Sequence, residues 1–271
     1  MENKQLKTHA SYPWKGFGAF VAIYLLSLAM HFPALYEQAQ VIAEMFGEEI
    51  AINPTQYAIT ALFQPLLLGI IAIYFGHRYV KTVGLRSLIN EQLENEPSTG
   101  EMKKYQMKDS LPFVITIAVV IAALELGFDF VFQNGLPDLF QPNFTIPTIP
   151  QALSSIFYGG LAQEILLRWG VMTSVIYVLR PKGESTNDWS RTIGIVFTAV
   201  LFAFAQYSSV APYVDLSFLI ILRILLLTGV SGMLYGWLYA TFHIEAAMIS
   251  HVLMNILVIF GNSMIVGLST L

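Results

Sequence analysis

The chain has 271 residues, of which 55% are hydrophobic and only 12% are charged, and its mean hydropathy is +0.61. A soluble domain carries about 25% charged residues, so this composition excludes an ordinary soluble protein. The formal net charge of −4 gives no basis for nucleic-acid binding, and the lack of cysteine excludes disulfide bonds and thiolate metal sites. We therefore expect a single integral membrane domain over residues 1–271, surrounded by membrane lipids.

Apolar runs recur along the whole chain, and most are long enough to form a transmembrane helix. In chain order they predict seven spans, at residues 14–32, 55–75, 112–132, 152–179, 192–206, 216–240 and 244–261. An amphipathic segment within residues 33–54 would add an eighth helix lying on the membrane. The runs lack the alternating pattern of barrel strands. The predicted fold class is therefore all-α, a polytopic transmembrane helical bundle of seven to eight spans.

The basic residues are distributed unevenly between the connections. Lysine and arginine are absent from residues 33–54, 133–151 and 207–215 and from the tail after residue 261. All of them except Arg168 and Arg223 fall in the opposite set of segments. By the positive-inside rule, we expect a cytoplasmic N-terminus and a location in the cell (plasma) membrane. Residues 87–110 have the composition of a disordered segment, which predicts a cytoplasmic linker.

The stretch YGGLAQEILLRWG (158–170) places polar side chains inside the fourth span. A charge at the centre of the bilayer costs about 2.5–3.5 kcal/mol on insertion scales. Glu164 and Arg168 are spaced i, i+4 with the acid first, which favours a structural ion pair on one helix face. Gln163 projects about 100° away from Glu164. It could therefore face a polar cavity or form a hydrogen bond to another helix.

The sixth and seventh spans contain three further features. His251 and Asn255 in ISHVLMN lie one turn apart, where both could donate hydrogen bonds to a common oxyanion. A lone histidine would more often be a satisfied interior residue. His243 and Glu245 fall at the cytoplasmic boundary and are interpreted as interfacial. The small residues of the sixth span predict close helix packing; they are Gly229, Gly232 and Gly236.

Three motifs in the late spans have a recognisable order: QEILLR at 163–168, FAFAQ at 202–206 and HVLMN at 251–255. This order resembles the CPBP family, the CAAX-processing and bacteriocin-processing intramembrane proteases (Abi-type), whose pattern is E-E-x-x-x-R, F-x-x-x-H and H-x-x-x-N. The resemblance covers residues 152–258, which would form a CPBP-protease-like core. It implies that the catalytic positions are Gln163, Glu164, Gln206, His251 and Asn255.

Two of these positions depart from the family pattern. Gln163 replaces the first glutamate and Gln206 replaces the histidine, the two residues that the family is thought to use to activate water. Glutamine keeps the carbonyl acceptor of glutamate but cannot titrate, so the resemblance implies an intact oxyanion end without its base. Glu164 would have to leave Arg168 to act as the base. The resemblance also raises a divalent metal as a cofactor, although zinc usually needs three or four His, Cys or carboxylate ligands and His251 and Glu164 supply two.

Three functions from different classes are compatible with this sequence. The first is an intramembrane endopeptidase that acts on membrane-associated substrates, either prenylated CAAX-like or bacteriocin-like peptides. The second is a pseudoprotease or immunity-type protein that binds a hydrophobic or lipidated peptide without cutting it. The third is a small membrane transporter, in which Glu125, Asp129 and the Glu164–Arg168 pair would form a polar pathway.

Overall fold

The protein is described by a computed structural model over residues 12–46, 53–94, 106–132, 146–182, 186–210 and 217–269. Within these ranges the chain forms helices and turns and no β-strand. The helices are α1 (Trp14–Phe46), α2 (Pro54–Tyr79), α3 (Leu88–Glu94), α4 (Met107–Phe132), α5 (residues 149–179), α6 (Asp188–Val210), α7 (Phe218–Thr241) and α8 (Ile244–Ser269). The predicted all-α transmembrane bundle is confirmed.

Six helices, α1, α2, α4, α6, α7 and α8, are long and apolar enough to cross a membrane. Together with α5 they match the seven predicted spans. The separate surface helix expected within residues 33–54 is a wrong prediction for the part that the structure describes, because α1 continues through Pro33 to Phe46. Leu35, Ala39 and Ile42 form a buried stripe beyond this proline, so packing of one face carries the helix outward.

The long helices alternate in direction, so the bundle has two ends. At one end, Thr148 before α5 donates a hydrogen bond to Glu37 of α1 at 2.7 Å. The connections at this end, residues 47–53, 133–148 and 211–217, contain acidic residues and no lysine or arginine. We call it the acidic end. At the opposite end, the Gly16 N–H near the start of α1 donates to Glu94 of α3 at 3.0 Å. This basic end contains the connections 80–106 and 180–187, with their lysines and arginines.

Glu245 organises the basic end. Its carboxylate accepts hydrogen bonds from the Ser87 hydroxyl at 2.6 Å and from the backbone N–H groups of Leu88 at 3.1 Å and Ile89 at 3.0 Å. An acceptor at a helix N-terminus stabilises the unpaired N–H groups, which explains why part of the predicted linker folds as α3. His243 and Glu245 lie at the basic end, as their interpretation as boundary residues requires, but both side chains are buried in the protein.

Helix α5 runs through the middle of the bundle, where it packs against α1, α2, α6 and α8. Its backbone is α-helical at both ends and π-helical over Ser154–Ala162 and Ile165–Met172. The N–H of Gln163 bonds to the carbonyl of Tyr158, and that of Thr173 bonds to the carbonyl of Arg168, both with i to i−5 spacing. Such π segments are rare and are frequently found at functional sites.

Small residues allow close approach at two helix contacts. A Cβ at Gly160 of α5 would lie 3.1 Å from the backbone nitrogen of Val252 in α8. A Cβ at Gly232 of α7 would lie 2.9 Å from the Cα of Ala199 in α6. The close packing predicted for the sixth span holds at Gly232 and at Gly236, which meets Ile195, but not at Gly229, which has nothing within 4 Å.

Candidate functional site

A cavity of about 740 Å³ lies among the seven long helices. Every one of these helices contributes lining residues, and much of the lining is polar. Four of the positions singled out from the sequence line it together: Gln163 of α5, Gln206 of α6, and His251 and Asn255 of α8. The structure thus brings three distant helical segments to one space inside the bundle.

The floor of the cavity is formed where α5 meets α8. The Asn255 side-chain amide donates a hydrogen bond to the backbone carbonyl of Ser155 at 2.6 Å. A Cβ at Gly159 would lie 3.3 Å from the Asn255 nitrogen and 4.0 Å from the Gln163 side-chain oxygen. Gly159 therefore leaves the space into which both amide side chains reach. The π-helical backbone around Gly159 and Ser155 positions this part of α5.

Glu164 follows Gln163 in the chain but is in a different environment. Its side chain is 0% exposed and does not line the cavity. One carboxylate oxygen, Oε1, lies 2.9 Å from Nδ1 of His251 and 3.2 Å from a guanidinium nitrogen of Arg168. The predicted i, i+4 ion pair is present in the structure. The sequence pattern does not predict the contact between Glu164 and His251, which lie on different helices.

Arg168 connects this pair to α7 and α6. Its guanidinium donates a hydrogen bond to the Gly232 carbonyl at 3.1 Å. It also lies 5.1 Å from the ring centre of Phe202 and 5.8 Å from that of Tyr235, within the range of cation–π attraction. Glu164 and Arg168 are both fully buried, so each provides the opposite charge that the other needs away from the surface. The pair joins α5, α7 and α8.

The contact with Glu164 constrains the protonation of His251. A carboxylate can only accept a hydrogen bond, so Nδ1 of His251 carries the hydrogen. In the neutral ring Nε2 is then an acceptor, and only the imidazolium form could donate from Nε2 to an oxyanion. The ring stacks on Tyr235, with ring centres 4.5 Å apart and planes inclined by 16°. His251 is therefore held in one orientation by α5 and α7.

The acidic-end part of the cavity contains charged residues that the motifs do not include. Arg223 of α7 and Glu125 of α4 both line the cavity. Arg223 makes two parallel hydrogen bonds to the Asp129 carboxylate, both at 2.7 Å. The sequence left Arg223 without a role, although its position inside an apolar span was a signal. Asp129 of the transport hypothesis is thus engaged by an arginine.

His31 of α1 is a further lining residue without a sequence motif. Its Nδ1 lies 2.7 Å from the Ser154 hydroxyl, and its ring stacks on Tyr158 with ring centres 4.1 Å apart. Its only signal in the sequence is an imidazole near the end of an apolar run. His31 brings α1 into the cavity wall.

The residues of the cavity do not fit a bound divalent metal. Among the described residues, no group of three or more His, Cys, Asp or Glu side chains is arranged to hold a metal ion. The two amide positions, Gln163 and Gln206, offer neutral ligands, and Nδ1 of His251 is already engaged by Glu164. The metal raised by the family resemblance therefore has no ligand set here of the kind that zinc uses.

Comparison with known proteins places the site in a family context. Residues 145–257 match the model of the Rce1-like family, described as type II CAAX prenyl endopeptidase Rce1-like. This match confirms the resemblance drawn from the three motifs, and it contains all of the positions that the motifs identified. Over this region the chain is similar to CAAX-type intramembrane proteases. No curated protein and no solved structure matches the chain.

Proposed function

We propose that this membrane protein retains the cavity of an intramembrane endopeptidase and uses it to bind a peptide segment without cleaving it. One observation carries the proposal. The two lining positions that should activate water are the neutral amides Gln163 and Gln206, and the neighbouring carboxylate of Glu164 is buried outside the cavity. Arg168 and His251 both bind the same oxygen of Glu164.

The energetics of Glu164 argue against its use as a replacement base. A general base must be able to reach the water that it deprotonates, and it contributes about 10²–10⁴-fold in rate when positioned. Breaking a buried ion pair costs about 3–5 kcal/mol, because one charge is left uncompensated. Rotation of Glu164 into the cavity would leave Arg168 in that state. This cost offsets most of the gain that a general base supplies.

The same amides are suited to binding. Gln163, Gln206 and Asn255 each offer both hydrogen-bond donors and an acceptor, which matches the alternating N–H and C=O groups of a peptide backbone. A cavity of about 740 Å³ is within the usual size of ligand pockets, about 300–1,000 Å³. Backbone groups in the bilayer must find protein partners, since lipid offers none. A hydrophobic or lipidated peptide entering from the membrane would gain such partners here.

Peptide cleavage is the second candidate function, and the Glu164–His251 contact favours it. A carboxylate that holds Nδ1 leaves Nε2 as an acceptor, which is the arrangement by which histidine acts as a base in carboxylate–histidine pairs. His251 lines the cavity. In this candidate His251 would take the proton of the attacking water, and the amide of Asn255 would stabilise the oxyanion.

A cleavage and binding assay in reconstituted membranes tests both candidates. A prenylated CAAX peptide is offered to the unmodified chain, to His251→Gln and to the double variant Gln163→Glu, Gln206→His, and product is followed by mass spectrometry. We expect binding without product from the unmodified chain and product from the double variant. Gln56→Glu is the matched control, because Gln56 is exposed and outside the cavity. The Gln56→Glu variant should release no cleavage product.

The outcomes separate the two candidates. Product from the unmodified chain that disappears in His251→Gln would replace the binding proposal with cleavage by His251. If binding is unchanged when Gln163 and Asn255 are both replaced by leucine, the peptide does not bind in this cavity. A double variant that binds the peptide and releases no product would mean that the cavity differs from a working one at more than two side chains.

A further inference from the structure

The cavity reaches one end of the bundle. Its lining residues in α1 begin at His31 and extend to Gln38, on the acidic-end side of the helix centre. In α2 the lining residue is Tyr57, three positions after the helix begins at that end. The floor is at Gln163 of α5 and Asn255 of α8, each near the centre of its helix. The space therefore extends from mid-bundle towards the acidic end.

The acidic end is the non-cytoplasmic end by the positive-inside rule. Its connections contain no lysine or arginine, whereas the opposite end contains all the basic residues except Arg168 and Arg223. Such an asymmetry sets the orientation of a membrane bundle. A cytoplasmic, lipidated C-terminus would approach the basic end, on the far side of the buried Glu164–Arg168 pair.

The charged cluster at this end of the cavity contains one more carboxylate than cationic side chain, with Glu125 and Asp129 facing Arg223. Arg223 makes two hydrogen bonds to Asp129 and also attracts Glu125, which is the second carboxylate of this cluster. Among the lining residues that the structure describes, Glu125 is the only carboxylate. The acidic-end connections also contain only acidic charged residues; they are Glu48, Glu49, Asp138 and Asp215. An excess of one sign of charge between low-dielectric walls attracts ligands of the opposite sign.

We infer that the cavity receives a cationic peptide from the non-cytoplasmic side, and that Glu125 determines specificity by pairing with a lysine or arginine of that peptide. This inference rests on the proposed peptide-binding function and names the class of peptide. The polar floor at Gln163 and Asn255 would hold the backbone, and Glu125 would hold the basic side chain nearer the mouth. Glu125 lies outside the region that matches the family.

The side of entry is tested by thiol labelling. The chain has no cysteine, so a single introduced cysteine gives an unambiguous signal. Gln38→Cys places a thiol on the cavity wall, and Lys108→Cys places one on an exposed position at the basic end. A membrane-impermeant maleimide added to intact cells should label Gln38→Cys and should label Lys108→Cys only after the membrane is opened. The reverse pattern would overturn the inference.

The role of Glu125 is tested with three synthetic leucine–alanine peptides that differ at one central residue, lysine, glutamine or glutamate. Binding is measured by fluorescence on the full chain in lipid nanodiscs. The lysine peptide should bind the unmodified chain about tenfold more tightly than the glutamine peptide, and Glu125→Gln should abolish that preference. Asp109→Asn is the matched control. It removes one carboxylate from the same helix, at the exposed basic end, and should leave the preference unchanged.

Different results would contradict the peptide-binding function and the role of Glu125. If the lysine and glutamine peptides bind equally, and replacement of Asn255 by leucine weakens both, the charge inference is wrong while the peptide-binding function stands. If no peptide binds, the proposed function itself is wrong. If Glu125→Gln and Asp109→Asn reduce lysine-peptide binding equally, the preference comes from overall charge, and the assignment to Glu125 is overturned.

Discussion

Replacement of Arg168 by methionine should be among the most damaging single changes in this bundle. The side chains of Arg168 and Glu164 are both 0% exposed, and their closest charged atoms are 3.2 Å apart. Loss of one partner of a buried pair costs about 3–5 kcal/mol, because the other charge remains buried. Arg168→Met also removes the hydrogen bond to the Gly232 carbonyl. We therefore expect a loss of about 4–5 kcal/mol in the free energy of unfolding.

A double-mutant cycle isolates the pair from the packing change. Glu164→Gln and Arg168→Met are measured singly and together by reversible unfolding in mixed micelles. The double variant should be more stable than the sum of the single losses predicts, by up to about 3 kcal/mol, because neither charge is left alone. The pair for comparison is Asp129→Asn with Arg223→Met, whose side chains are 17% and 15% exposed. Because it makes two parallel hydrogen bonds, that pair should also couple, by about 0.5–3 kcal/mol. Additive losses at Glu164 and Arg168 would refute the buried-pair reasoning.

Three further changes test other contacts. Gly160→Ala should cost about 1–3 kcal/mol of unfolding free energy because its Cβ would press on the backbone of Val252, whereas the open position of Gly18 should accept alanine without loss. Glu245→Ala should cost about 1.5–3 kcal/mol and increase hydrogen exchange at the first N–H groups of α3, and unchanged exchange would contradict its role as a cap. Asn255→Leu should reduce peptide affinity about tenfold, since leucine cannot donate to the Ser155 carbonyl or bond to the peptide, and equal affinity would show that this amide does not contribute to binding.

The spans were predictable because hydropathy is a local property. Each predicted run coincides with a long helix, since lipid requires every backbone group to be satisfied within the segment. The extension of α1 beyond Pro33 was not predictable in the same way. It depends on the burial of Leu35 and Ala39, which is decided by neighbouring helices. The fold of α3 was also hidden, because its stabilising carboxylate, Glu245, lies more than 150 residues further along the chain.

In the candidate site, the sequence predicts contacts between residues of the same helix but not contacts between residues of different helices. The spacing of Glu164 and Arg168 gave their ion pair, because i and i+4 meet on one face. The contact between Glu164 and His251 joins residues 87 positions apart, and no helical period encodes it. The sequence marks Glu125 as an intramembrane charge, but its position opposite the motif residues depends on how α4 packs on α8.

The motif residues of this chain contribute differently to the stability of the bundle and to the lining of the cavity. Glu164, Arg168 and His251 are bound to one another and to α7, so they contribute to the stability of the bundle whether or not a peptide is cut. Gln163 and Gln206 line the cavity, where a change of charge affects the chemistry of water more than the packing. A chain can therefore lose the titratable groups at these two positions and still keep the rest of the motif for structural reasons. Under the proposed peptide-binding function, the buried motif residues stabilise the bundle and the two glutamines face the bound peptide.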